Sequence, residues 1–141
     1  VPAKDTTTTS WQDLDTPDKK IALSQGTTGA LLAKAIFTKA QILDFPTFPE
    51  AAAAMMQGAA DAIVYDEPGI RMYETMHKDG VRGVYDLISR ENLGVAVRLN
   101  DFPTIQWVNS FLQFYVGSPE ELASRNKWFE STEWMEGMAQ Q

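Results

Sequence analysis

A chain of 141 residues that is 44% hydrophobic, 11% aromatic and 22% charged is too apolar for disorder, too mixed for a coiled coil or collagen-like fibre, and of a length for one domain with a real core. Twelve Lys and Arg against nineteen Asp and Glu leave a net charge of -7, which repels phosphate backbones and anionic lipid, so no nucleic-acid partner is expected. The absence of cysteine excludes disulfides, thiol nucleophiles, thiolate metal sites and haem attachment, while no apolar run reaches the roughly 18 residues of a membrane span.

The N-terminal VPAKDTTTTSW lacks the basic start and apolar centre of a signal peptide, so an export signal, if the protein has one, lies outside this chain. Its polar stretch from Asp5 to Ser10 reads as a linker. From Lys20 the pattern becomes strand, then glycine, then helix: KKIALS is short and apolar, Gly26 breaks it, and Ala30, Leu31, Leu32, Ala35 and Ile36 recur at helical spacing. AQILDF and the alanine-rich EAAAAMMQG repeat the unit, with Gly58 as the helix stop. DAIVYDEP and a helix from Pro68 towards His77 make a third. Strands alternating with helices predict a three-layer α/β sandwich with a mostly parallel, mixed sheet. VYDLIS and LGVAVRL read as two further strands. Beyond Asp101, Trp107, Val108, Phe111, Leu112, Phe114 and Tyr115 form a wide apolar helical stripe. Ser118 followed by Glu121 is a capping-box signature for another helix running towards Trp128 and Phe129.

Two segments have the chemistry of a binding site. Ser24-Gln25-Gly26-Thr27-Thr28-Gly29 lies where a strand gives way to a helix, and the free N–H groups of a helix start attract anions such as a carboxylate. A phosphate-binding loop would add a Gly-Lys-Ser/Thr ending, which is absent. The plain alternative is that Gly26 makes the turn and Thr27 caps the helix. In Tyr65-Asp66-Glu67-Pro68, Asp66 could accept a charge-assisted hydrogen bond from a ligand ammonium, or serve only as an N-cap ahead of Pro68. Together the pair complements the zwitterionic head of an α-amino acid. His77, the lone histidine, has no partners for a zinc site. Asp66 and Glu67 are not a catalytic carboxylate pair, because sequence neighbours point apart. Met55, Met56, Met72 and Met76 read as core filling. No catalytic residue, metal or cofactor is expected.

The ordered set DL, KKIALSQGTTG, FPEAAAAMMQGAADAIVYDEP, ENLGVAVRLND, WVNSFL and KWF resembles the second lobe and C-terminal region of the family 3 extracellular solute-binding proteins. These are periplasmic amino-acid receptors of ABC transporters with a type II fold. The resemblance implies a periplasmic or membrane-associated extracellular binding protein, not an enzyme, that traps a polar or charged amino acid between two lobes and delivers it to a membrane permease. It implies that Thr27 and Thr28 bind the ligand carboxylate, that Asp66 binds the ammonium, and that Tyr65 and Ser24 are positions that vary with ligand. It also divides the chain into an α/β lobe with crossover strands at 1–99 and a helical segment at 100–141, with the first lobe absent. An enzyme of cyclohexadienyl dehydratase type is similar and is the alternative. Eight of the fifteen aromatic residues follow Asp101. The family packs these helices largely against the first lobe, so a homodimer through the C-terminal helices, hinged at Asn100 to Pro103, is a further expectation.

Overall fold

The computed structural model describes residues 1–131 and 133–136. It divides into two units, Val1–Ile88 and Ser89–Gln141. The first holds three βα units: β1 (Lys20–Ser24), α1 (Thr28–Ile36), β2 (Gln41–Phe45), α2 (Phe48–Met56), β3 (Ala62–Val64) and α3 (Glu67–Met76). The strands form one parallel sheet in the order β2-β1-β3.

The register explains why the strands are apolar on both faces. Ile21 lies opposite Ile42 on β2 and Ala62 on β3, while Ala22 lies opposite Leu43 and Ile63. On the first face, Ile21, Leu23 and Ala62 pack with Ala30, Ala33 and Phe37 from the α1 segment, and with Leu14. On the second, Ala22 packs with Ala51 and Met55 of α2 and with Ala60 and Val81. The helices α1 and α2 therefore cover opposite faces of the sheet, giving the three layers read from the sequence. Alanine at the helix contacts lets the helix backbones approach the sheet closely, and Ile21, Leu23 and Met55 are the largest side chains sealed at the centre.

Local chemistry fixes the ends. Thr47 and Glu50 form a reciprocal capping box at the start of α2, and Gly58 takes a positive φ of 82° just beyond that helix. Met55 is buried, but Met56 and Met76 are exposed, so the methionines are not all core filling as the sequence suggested.

The Asp5 to Ser10 segment is more than a linker. The Asp5 carboxylate accepts hydrogen bonds from Thr7 N (2.9 Å), Thr7 Oγ1 (3.1 Å), Thr8 N (3.0 Å) and Thr8 Oγ1 (2.6 Å). Arg82 then ties this loop to the end of the α3 connection, donating to the carbonyls of Asp5 and Thr8.

The strands expected in VYDLIS and LGVAVRL do not form. A strand exists through its ladder partner, and among the described residues the pairing beyond β3 is a single antiparallel bridge between Pro2 and Val81. Residues beyond Val81 are held instead by side chains of α3. Glu74 accepts from Gly83 N (2.9 Å) and from the Tyr85 hydroxyl, and the Arg71 guanidinium lies 4.3 Å from the centre of the Tyr85 ring. Burial pushes the Tyr85 hydroxyl well above the ordinary phenol range, and the bond to Glu74 adds to it.

The second unit contains α4 (Phe102–Tyr115), α5 (Pro119–Arg125) and α6 (Glu133–Glu136), with a π-helical turn at Asn126–Glu130 after α5. Asp101 caps α4 through Thr104 N. Ser118 caps α5 through Glu121 N (3.1 Å), while Glu121 reaches back to Gly117 N, a displaced form of the expected box. Trp107, Phe111 and Tyr115 stack along α4 with ring centres 6.0 and 4.9 Å apart. No described helix is long and apolar enough to cross a membrane.

Candidate functional site at the strand switch point

The order β2-β1-β3 has a topological consequence. The chain leaves β1 through α1 on one face and leaves β2 through α2 on the other, so connections from neighbouring strand ends pass to opposite faces of the sheet. Open α/β sheets bind ligands at such a point. Leu23 pairs with Val64, which brings the segments that follow, Ser24 to Thr28 and Tyr65 to Asp66, to the same end of adjacent strands.

Gly26 turns the chain with a φ of 75°, a conformation that penalises any residue with a Cβ. Thr27 is the N-cap of α1: its hydroxyl accepts from Ala30 N (3.1 Å) and donates to the Ser24 carbonyl (2.9 Å). The plain reading of Gly26 and Thr27 therefore holds for their turn and capping roles. The Thr27 hydroxyl spends its proton on Ser24, and Thr28 is the exposed first residue of α1, a helix start whose first amides lack intrahelical acceptors. Ser24 is buried at 6% exposure, the last residue of β1.

Asp66 differs from Thr27. It stands at the N-cap of α3 with extended backbone, yet its side chain makes no capping hydrogen bond, and it is exposed. Asp66 Oδ1 and Oδ2 accept no hydrogen bond among the described residues. The cap reading of Asp66 is thus only positional. Glu67, its neighbour, is engaged by its own helix: Arg71 Nε and Nη2 lie 2.9 and 2.8 Å from Glu67 Oε1. The two adjacent carboxylates have separate environments and do not form an acid/base pair.

Tyr65 stacks on Phe48, the first residue of α2, at 4.0 Å between ring centres and 21° between planes. Phe48 also meets Tyr73 edge-on at 4.6 Å, and Tyr73 lies 5.2 Å from His77, which makes the lone histidine part of an aromatic row. Sequence reasoning missed Phe48. Its signal was its place at the start of the helix that crosses behind β1, which sets it over the end of β3. Among the described residues no group of three His, Cys, Asp or Glu side chains has the proximity to hold a metal ion.

No protein-family model and no curated protein matches the chain. Solved structures do. The chain matches an ancestral amino acid-binding protein, a precursor of cyclohexadienyl dehydratase, with a TM-score of 0.70 and 33% identity over 89% of this chain and 54% of that one. It matches the putative binding component of an ABC transporter from Wolinella succinogenes, complexed with lysine, with a TM-score of 0.81 and 26% identity over 96% of this chain and 59% of that one. An ancestral arginine-binding protein bound to glutamine matches with a TM-score of 0.71 and 25% identity over 93% of this chain and 58% of that one. The chain thus spans a little over half the length of each.

The parallel sheet with its covering helices has the fold of one lobe of a type II periplasmic binding protein. The family resemblance is to the family 3 extracellular solute-binding proteins, and it extends over nearly all of this chain. The matched proteins are mostly binding proteins, and one is a dehydratase precursor.

Proposed function

We propose that this chain is one of the two lobes of a periplasmic receptor that binds a polar or charged amino acid and hands it to an ABC transporter permease. The observation that carries this reading is the pairing of a helix start, at Thr27 and Thr28, with the uncapped carboxylate of Asp66 across neighbouring strand ends. An α-amino acid has a carboxylate and an ammonium on one carbon, so two complementary groups on adjacent strands recognise that head and no other part of the ligand. Thr27 and Thr28 take the carboxylate, Asp66 takes the ammonium, and Ser24 and Tyr65 face the side chain. The presence of lysine in one matched structure and glutamine in another supports a polar ligand. Residues 1–99 are read as the lobe and 100–141 as its helical extension.

A dehydratase is the second reading, favoured by the precursor among the matches. It asks for an acid placed to protonate a leaving hydroxyl. Glu67 is already bound to Arg71, and Asp66 serves more simply as an acceptor for an amine. Formation of an aromatic product from a cyclohexadienyl substrate would decide for the enzyme.

Isothermal calorimetry tests the receptor. The full-length protein is expected to bind at least one of lysine, arginine and glutamine. The 141-residue chain alone is expected to bind them weakly or not at all, because one lobe covers only one face of the ligand and a binding pocket normally encloses most of it. Micromolar binding by a monomer of the isolated chain would contradict the two-lobed reading.

A further inference from the structure

Among the described glycines some serve a backbone conformation, and others, such as Gly69 and Gly83, stand where a side chain fills the space of a Cβ. Gly26, Gly58 and Gly117 have positive φ, and a Cβ on any of them would meet nothing within 4 Å. They are present for their backbone conformation. Gly69 is the reverse. It sits in the first turn of α3 without a positive φ, where glycine is among the poorest helix formers, and a Cβ there would lie 2.8 Å from Tyr65 Cδ1 and 3.0 Å from Tyr65 Cε1. Ordinary carbon contacts are about 3.5–4.0 Å. Gly69 is therefore a space requirement, and the space is filled by one edge of the Tyr65 ring.

The face of that ring is occupied by Phe48, which the edge of Tyr73 supports in turn. Withdrawing the Tyr65 edge from position 69 tilts or slides the ring on Phe48 and breaks the stack. The register puts the strand-end residues Ser24 and Tyr65 side by side on the α2 face of the sheet, next to Asp66. Within the described residues the Tyr65 hydroxyl has no hydrogen-bond partner, so the ring is gripped while its polar tip is not engaged by the lobe's own side chains.

From this geometry we infer that Tyr65 is a rigid specificity-determining wall of the ligand cleft, held by Phe48 and Gly69 as positioning residues. The inference rests on the receptor reading above. A fixed ring and a free hydroxyl discriminate between ligand side chains of different length and polarity, because a wall that cannot move does not adapt to the wrong one. The shared amino-acid head is held elsewhere, by Thr27, Thr28 and Asp66. Disturbing the clamp should thus change the ranking of ligands more than the existence of binding.

A double-mutant cycle in the full-length protein tests this with two readouts. Gly69→Ala is expected to lower the midpoint of thermal unfolding in the native background, and to raise it in the Tyr65→Ala background, where the clash is gone and alanine is the better helix former. It is expected to change the ratio of affinities among lysine, arginine and glutamine by about tenfold, and to leave that ratio alone once Tyr65 is alanine. Phe48→Leu should alter the ratio in the same way and Phe48→Tyr should restore it. An effect of Gly69→Ala with the same sign in both backgrounds would show that no clamp exists. The expected sign reversal with unchanged affinity ratios would deny Tyr65 its part in specificity. Failure of the unmutated protein to bind any of the three probes would overturn the receptor reading and the specificity claim with it, while the unfolding readout would still report whether the clamp is real.

Discussion

Replacing Asp66 by alanine in the full-length protein is expected to weaken amino-acid binding by about 2–5 kcal/mol while leaving the fold intact. The size follows from what remains behind: a ligand ammonium enclosed in the cleft loses its charged partner, and truncating one side of a buried charge pair carries that penalty. The preserved fold follows from the local geometry. Asp66 is exposed and its carboxylate makes no capping hydrogen bond, so its removal withdraws nothing that holds α3, and surface changes of this kind stay within about 0.5 kcal/mol. Calorimetry and denaturant unfolding of the same protein separate the two. An unchanged affinity in a folded variant would remove Asp66 from the site.

The opposite pattern is expected for Asp5, whose carboxylate makes none of its hydrogen bonds with the segments after β1 and β3. Its carboxylate gathers four donors from Thr7 and Thr8, and Arg82 clamps the loop so formed. Asp5→Ala leaves those donors without their charged acceptor and is expected to lower stability by about 1.5–3 kcal/mol with ligand affinity unchanged. Burial works to raise the Asp5 pKa, but the hydrogen bonds from Thr8 and Thr7 prevail and hold it well below the usual carboxylate range. A carboxyl with a depressed folded value stabilises fully above its unfolded value of about 3.9 and loses that contribution as pH falls further. The stability gap between the native chain and Asp5→Ala should therefore be constant near neutrality and shrink below about pH 4. A gap independent of pH in that range would show that the charge on Asp5 does not hold the loop.

The βα order, the three layers and the two strand-end segments were legible in the sequence because each rests on local signals: apolar runs of strand length, glycine at Gly26 and Gly58, and helical spacing in between. What was not legible depends on partners distant in sequence. LGVAVRL has the composition of a strand, but no described segment pairs with it. Asp5 to Ser10 looked like a linker because hydrogen bonds to a carboxylate leave no hydropathy pattern. Gly69 resembled any helix-start glycine until Tyr65 was seen against it. The homodimer expected from the C-terminal aromatics finds no support: Trp107 and Phe111 are exposed at 69% and 47%, and exposure alone names no partner.

On the receptor reading, an amino acid is held where β1 and β3 end. Amide chemical shifts of the isotope-labelled full-length protein, followed as lysine, arginine and glutamine are added, test it directly. The receptor reading predicts that, within this lobe, the largest saturable shifts fall on Thr27, Thr28, Tyr65 and Asp66, with little change at the far end of the sheet around Lys20, Gln41 and Asp61. Saturable shifts centred elsewhere in the lobe, with the Thr27 and Asp66 amides unmoved, would contradict it.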